Sequence, residues 1–355
     1  MAETQRRKVD GRRGPLVSVL VLNYNGKPFL KACLESLLKT TYPSFEIVLI
    51  DNHSTDDSVA FTEQNYSQVR ILQTGSNSGY SRAYNIAFTS AKGKYFVLLN
   101  NDVEVVPDWL EHLVSAAEAD PEIGALQPKL LSLQDKSYFE YAGASGGYMD
   151  LYGFPFLRGR VFSTIEKDEG QYNEAVQVFW TSGAAMFVRA DALHHSGVLD
   201  EDFVHHMEEI DLCWRLHLAG YKLMVIPAAI VYHYAGATIQ PNSFRKLYWN
   251  FRNSVFMLIK NFETKNLLRV LVVRYTLDIA ALLWSFAKLD FKMAFAIVKA
   301  HGWLIWNLPL LARRRGETQS QRRVSDQSIM HLLYPGSILI AYFLKGRRTY
   351  SDLIG

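Results

Sequence analysis

The sequence predicts an α/β protein built on a mostly parallel, Rossmann-like sheet with helices on both faces. Three observations lead there. Short runs of β-branched and leucine residues recur without polar alternation, each is followed by a cluster rich in Asn, Asp, Ser and Gly, and each cluster opens onto helical periodicity.

The first unit runs from Leu16 to Leu22, through the turn Asn23-Tyr24-Asn25-Gly26, into apolar positions Phe29, Leu30, Cys33, Leu34, Leu37 and Leu38. That spacing is strand, turn, helix. Phe45 to Ile50 repeats it before Asp51-Asn52-His53-Ser54-Thr55-Asp56-Asp57, and Val69 to Leu72 precedes a polar loop and a helix from Gly79 to Ser90. A fourth strand, Tyr95 to Leu99, ends in Asn100-Asn101-Asp102. Sheets of this kind bind ligands at the carboxyl ends of their strands, where every one of these polar clusters falls. Ser132 to Val176, rich in Gly and Tyr with weak periodicity, predicts long loops over the site. A strand resumes at Val176 to Val188, interrupted by Thr181-Ser182-Gly183, then a helix over Glu208 to Ala219 and a strand over Lys222 to Ile226.

At 355 residues, 49% apolar, the chain has material for a large domain and an appendage. Cys33 and Cys213 fall inside apolar helical patterns and predict buried thiols in a reducing compartment. Residues 1–14 are basic, lack the apolar stretch of a secretory signal, and read as a disordered arm. A cut at Pro241 leaves net charges of about −9 before it and +12 after it. The acidic body suits a cation-binding enzyme and the basic, aromatic tail an anionic membrane surface, whereas no module for reading nucleic acid is present. Apolar segments Leu267 to Trp284, Met293 to Leu311 and Ile329 to Leu344 predict helices lying in the membrane interface, with Arg313, Arg314, Arg315, Arg347 and Arg348 at lipid headgroups. The longest uncharged stretch, Gln327 to Leu344, contains Pro335-Gly336, so no spanning helix is expected. A helical cap or a homo-oligomer surface would use the same segments. The expected organisation is thus 1–14 arm, 15–260 catalytic domain and 261–355 C-terminal helices.

Several residues carry candidate chemistry. Asp102 closes a strand where the sheet opens, so its carboxylate can hold a divalent cation against a diphosphate, although Asn-Asn-Asp also suits an ordinary turn and helix cap. Asp51 ends the second strand and can accept hydrogen bonds from a nucleobase or ribose, while Asp56 or Asp57 caps the helix that follows. Asn77, Gly79 and Asn85 flank a helix start that can receive a phosphate. Glu208 and Glu209 open a helix about 100° apart around its axis, so one of them can reach a reacting carbon as general base. Asp211 and Arg215, four apart, read as an ion pair. His233 suits a buried histidine or a ligand for a manganese-like ion, and no zinc motif is present.

In this order the motifs resemble the family 2 glycosyltransferases of GT-A fold, especially bacterial rhamnosyltransferase-like members that build cell-surface polysaccharides. The resemblance covers about residues 15–260. It rests on Val17-Ser18-Val19, Asn23-Tyr24-Asn25-Gly26, Ile50 to Asp56, Asn77 with Gly79 and Asn85, Asn100-Asn101-Asp102, Ser182-Gly183-Ala184, Glu208 to Arg215, His233, and Tyr248 to Asn253. It implies inverting transfer from a nucleotide-sugar donor, such as dTDP-rhamnose or a UDP-sugar, to a glycan or lipid-linked glycan on the inner face of the cell membrane. Asp51 would bind the base, with Asn23, Asn25, Asn77, Gly79, Asn85, Asn100 and Asn101 on the donor side. Asp102 and His233 would hold Mg2+ or Mn2+, and Trp180, Gly183 and Glu208 would face the acceptor. The family's Glu-Asp pair is Glu208-Glu209 here, which puts the base on Glu209, and its Asp-x-Asp is Asn100-Asn101-Asp102, which leaves one carboxylate for the cation.

Other classes predict other features. A nucleotidyltransferase needs a glycine-rich basic loop after the first strand, which Asn23 to Gly26 lacks. A glycoside hydrolase needs two flanking carboxylates and no nucleotide. A catalytically inactive, membrane-associated sugar-nucleotide binder would bind nucleotide without turnover.

Overall fold

The computed structural model describes residues 14–234 and 243–354. The predicted arm lies outside the described residues except for Gly14, as does the point at Pro241 where the composition changes.

The nine strands of the main sheet are β1 (Val17–Asn23), β2 (Phe45–Asp51), β3 (Val69–Gln73), β4 (Tyr95–Asn100), β5 (Val103–Val105), β6 (Ile123–Ser132), β11 (Val176–Gln177), β12 (Ala185–Arg189) and β13 (Lys222–His233), in the order β11-β13-β6-β12-β4-β1-β2-β3 with β5 on β13. β3, β2, β1 and β4 pair in parallel, as do β6 and β13, whereas β12, β11 and β5 run antiparallel. Both faces are covered, which explains the unbroken apolar runs. Val19 and Val21 pack with α1 (Lys27–Leu37) and α4 (Trp109–Ala119), while Leu20 between them packs with α3 (Gly79–Ser90) and α6 (Glu208–Leu218). Helices α2 (Ser58–Asn65) and α5 (Ala190–Ser196) complete the flanking layers.

Two sequence expectations change here. Residues 132–176 are not simply loops: β7 (Gly147–Asp150), β8 (Pro155–Leu157), β9 (Arg160–Val161) and β10 (Thr164–Ile165) form a second sheet, closed by β14 (Leu333–Tyr334) from the far end of the chain. Strands of two to four residues are too short to carry a legible period. The predicted strand from Val176 to Val188 is two strands, β11 and β12, separated by the segment 178–184.

The C-terminal region contributes α7 (Phe244–Asn261), α8 (Thr264–Ala287), α9 (Phe291–Trp306), α10 (Leu308–Gln321) and the short α11 (Tyr350–Ile354). Met293 to Leu311 is therefore two helices, bent by 72° at Asn307. The expected helix over Ile329 to Leu344 is absent: 3-10 turns, β14 and one π-turn occupy it, as Pro335-Gly336 dictates. Among the described residues α8 is the one unbroken helix long and apolar enough to cross a membrane. Its central charges face the body of the protein, where Arg274 pairs with both oxygens of Asp278 at 3.0 Å and donates to Tyr152 O and Ser254 Oγ.

Candidate active site

The carboxyl ends of β1, β2 and β4 are laced together by amides. Asn23 accepts from Asn101 Nδ2 at 2.7 Å and donates to Ser54 Oγ at 3.1 Å. Gly26 packs against both Asn23 and Asn101, so any side chain there would displace one of them. Asn25, in the left-handed region at φ 51°, accepts from the backbone N–H groups of Thr55 and Asp56. Asp51 is buried and faces Asn23 in register, its two carboxylate oxygens sharing a long, bifurcated hydrogen bond from Ser54 N at 3.3 and 3.4 Å. Of the two candidate caps, Asp56 accepts from Ser58 N, while Asp57 makes no cap bond and pairs with Lys27.

The residue that ties the next loop is Asn52. Its carbonyl accepts from Thr74 Oγ1, Ser78 N and Ser78 Oγ, and its amide donates to Asn77 Oδ1 at 3.1 Å. Gly79, at φ +79°, starts α3, and a Cβ there would meet the Val204 carbonyl at van der Waals distance, 3.8 Å. Asn85, by contrast, is fully engaged: its amide donates to Leu199 O and Glu201 Oε1 and its carbonyl accepts from Leu199 N. These bonds make Asn85 a clamp between α3 and the loop after α5, where a donor-side contact is expected.

A cleft of about 650 Å³ opens where β4, β13, α6, α7 and the second sheet meet; Asn100, Asp102, Trp180, Glu209 and His233 all line it. Asp102 lies just past β4, and β5 pairs with the last residues of β13, so the sheet itself brings Asp102 and His233 together. His233 Nε2 lies 3.1 Å from Asp102 Oδ1 and 3.2 Å from Asn100 Nδ2. On the other side of the ring, Nδ1 is 3.2 Å from Glu140 Oε1, an ion-pair contact without hydrogen-bond alignment. Burial alone would lower the imidazolium, but Glu140 and Asp102 on its two nitrogens outweigh it and raise His233 to about 10. Glu140 is itself buried, with no aligned donor on either oxygen among the described residues. No pattern announced it, because it lies in the aperiodic stretch before β7.

α6 begins after a strained segment in which Val204, His206 and Met207 all have positive φ (65°, 66° and 72°). Asn253 of α7 holds that segment by donating to the carbonyls of Phe203, His205 and His206, and Arg252 donates to those of Asp202 and Phe203. Farther along α6, Asp211 is a buried hub rather than a surface pair, receiving Arg215 and Lys260 at 2.8 Å each and Asn261 at 2.9 Å. The motif Tyr248 to Asn253 thus sets the direction in which α6 presents its first turn. Glu209 lines the cleft, whereas Glu208 is buried beside it. Burial raises both carboxyls, and the charge of Glu209 raises Glu208 further. Gly183 packs against Tyr80, whose hydroxyl donates to Gly183 O at 2.9 Å, and a Cβ built there would lie 3.7 Å from Glu209 Cβ. Trp180 is anchored through Nε1 to Tyr148 O at 2.8 Å. Of the sequence-predicted residues, Asn100, Asp102, Trp180, Glu209 and His233 share the cleft wall, Gly183 and Glu208 lie behind it, and Asn23, Asn25, Asp51, Asn77, Gly79 and Asn101 occupy the neighbouring strand-tip loops.

Asp102 and His233 suit a hard divalent cation. The 3.1 Å between Nε2 and Oδ1 is the hydrogen bond that joins them, so a cation held by both would displace the Nε2 proton. No cluster of three or more carboxylate, imidazole or thiolate groups with metal-binding geometry occurs among the described residues, so other ligands would have to come from a diphosphate and water.

A central, mostly parallel sheet flanked by helices, with a helical region at its C-terminal end, is the architecture of the GT-A fold. Residues 18–195 match the family described as Glycosyl transferase family 2, and the chain belongs to that family. It is 30% identical over 235 residues to the N-acetylglucosaminyl-diphospho-decaprenol L-rhamnosyltransferase of Mycobacterium tuberculosis (strain CDC 1551 / Oshkosh), covering 62% of this chain and 76% of the relative. Its fold resembles that of S. aureus TarS 1-349, with a TM-score of 0.53 at 15% identity over 90% of this chain and 92% of that one. A TM-score of 0.55 at 18% identity relates it to GalNAc-T7, crystallised with UDP, GalNAc and Mn2+, over 71% of this chain; the match spans about half (49%) of the GalNAc-T7 chain.

Proposed function

We propose that this glycosyltransferase inverts the anomeric carbon of a sugar carried on a nucleoside diphosphate and delivers it to a lipid-linked or cell-surface glycan. One observation carries the reading: Glu209, Asp102 and His233, contributed by three distant parts of the chain, line a single cleft. Asp51 and the Asn52 loop receive the nucleoside, and Asp102 and His233 hold the diphosphate end through Mg2+ or Mn2+. When bound, the cation neutralises charge developing on the leaving diphosphate. Glu209 takes the proton of the acceptor hydroxyl as its oxygen bonds to the anomeric carbon and the bonding pair leaves with the diphosphate. A carboxyl raised by burial suits that task near neutral pH. Trp180 offers the acceptor sugar an aromatic wall. The relative that acts on a diphospho-decaprenol glycan supports rhamnose as the sugar and a polyprenyl-linked acceptor.

The same reading sets the protein against the cytoplasmic leaflet. Leu268, Leu283, Trp284, Phe295, Ile305 and Trp306 on α8 and α9 are all more than 60% exposed, a face far more apolar than water alone favours. The arginine contribution is narrower than the sequence implied: Arg314 pairs with Asp202 and Glu317, and Arg315 donates to carbonyls of Ile259 and Phe262. Deleting the C-terminal region would remove β14, so the clean test is L283E/W284E/W306E, which should abolish co-sedimentation with anionic vesicles; undiminished binding would refute membrane docking by this face. For the chemistry, a panel of nucleotide sugars with Mn2+ and a lipid-linked acceptor should show transfer that fails in Asp102→Ala, and transfer undiminished by that substitution would overturn the assignment.

A further inference from the structure

The cleft has a second end that the transfer chemistry leaves unused. Arg160, after β8, and Lys246, in the first turn of α7, both line it with Tyr141, Phe154 and Phe162. Arg160 Cζ lies 3.4 Å and Lys246 Nζ 5.2 Å from the centre of the Tyr141 ring, so one ring brings the two cations together. Neither has an acidic partner within ion-pair distance among the described residues. Arg160 uses Nε and Nη1 on the carbonyls of Phe162 and Tyr141, which fixes its plane and leaves Nη2 without an acceptor among the described residues. The third cation of the cleft, Arg274, differs: Asp278, Tyr152 O and Ser254 Oγ consume its donors. Partial burial of unpaired cations is costly unless an anion joins them.

Beyond Arg160 the wall turns apolar. Phe162 packs against Tyr342 and Phe343 at ring separations of 4.9 and 5.3 Å, and Phe343 and Leu344 are 60% and 80% exposed. Cations at the mouth followed by an exposed apolar ledge complement an amphiphile whose charged head is joined to a hydrocarbon chain. A neutral glycan acceptor would give the two cations nothing to bind, and the donor diphosphate already has Asp102 and His233 with their cation.

We propose that Arg160 and Lys246 form a phosphate subsite for the acceptor, a glycan on a prenyl phosphate or diphosphate whose chain leaves along Phe162, Phe343 and Leu344. This rests on the glycosyltransfer reading and adds to it the place where the lipid phosphate is held. The subsite sets the acceptor hydroxyl's approach to Glu209 by anchoring the opposite end of the acceptor head.

Calorimetric titration of the full chain with farnesyl diphosphate, farnesol, and UDP or dTDP with Mn2+ tests it. Farnesyl diphosphate should bind, farnesol should bind far more weakly, and Lys246→Gln, whose side chain makes no protein hydrogen bond, should weaken farnesyl diphosphate roughly tenfold. R160Q/K246Q should weaken it further, with nucleotide affinity unchanged in both variants. Equal binding of farnesol and farnesyl diphosphate would overturn the proposal. So would variants that weaken UDP or dTDP instead, which would assign the cations to the donor. Nucleotide-sugar hydrolysis with no farnesyl diphosphate binding would sink the subsite alone; no hydrolysis of any nucleotide sugar would sink the glycosyltransfer reading beneath it.

Discussion

The strand-tip loops and the cleft wall beside them are built in opposite ways. In the loops, Asn23, Asp51, Asn52 and Asn101 follow the tips of β1, β2 and β4, and each loop is tied to its neighbour by one or two amides. In the cleft wall, a two-residue strand at 160–161, the start of α6 and the middle of α7 come together. Local construction makes a site that the sequence announces; assembly from remote pieces makes one that only packing reveals. Predictions that separate a locally held residue from a remotely held one therefore test the comparison directly.

The largest effect belongs to Glu209→Gln. Removing a general base costs about 10²–10⁴ in rate, and the loss should fall on kcat with nucleotide binding intact. Because burial raises this carboxyl, the acid limb of kcat/KM should lie above the ~4.3 of a free glutamate, with activity gained as pH rises through it. Glu208→Gln should retain most activity and leave the pH of that limb in place, since burial and the charge of Glu209 keep Glu208 protonated while Glu209 titrates. If Glu208→Gln is the dead variant and Glu209→Gln is active, the roles are reversed.

Next comes the remote support of α6. Asn253→Ala removes the two N–H donors that reach three carbonyls of the strained segment before Glu208; at about 1 kcal/mol per donor, roughly 2 kcal/mol of stability should disappear in denaturant unfolding. The segment's positive φ values are then free to relax, so kcat should fall more than donor KM changes. A variant with wild-type stability and kcat would show that α7 does not hold the base.

These contrasts explain what the sequence disclosed. The alternation of buried runs and polar clusters revealed β1 to β4 and the positions of Asp51 and Asp102, because period and turn chemistry are short-range. His233 was visible as a residue, but its pairing with Asp102 depends on β5, a three-residue strand whose apolar positions look like a turn. Glu140, Arg160 and Lys246 had no signal, since their roles arise from the second sheet and α7 meeting over the cleft. Arg314 and Arg315 misled for the same reason: a basic run looks solvent-facing until its carbonyl and carboxylate partners are known.

Glu140 gives a smaller and sharper test. A carboxylate behind a ligating histidine fixes the ring, and its loss typically costs 10–100-fold in metal affinity. Glu140→Ala should therefore weaken Mn2+ binding, followed by electron paramagnetic resonance with UDP or dTDP present, by that factor. Glu140→Gln, which can still face Nδ1, should recover part of it. Unchanged Mn2+ affinity in both variants would reduce Glu140 to a packing residue.

The smallest effect concerns Asn85. The resemblance that makes Asn85 a donor contact predicts that Asn85→Ala raises donor KM. The geometry predicts otherwise, because both ends of its carboxamide are committed to Leu199 and Glu201, more than one hundred residues away in sequence. Asn85→Ala should then cost on the order of 1–2 kcal/mol in stability and leave donor KM within twofold. A several-fold rise in donor KM at unchanged stability would return Asn85 to the nucleotide, and with it would move the boundary between the locally built donor side and the remotely held acceptor side.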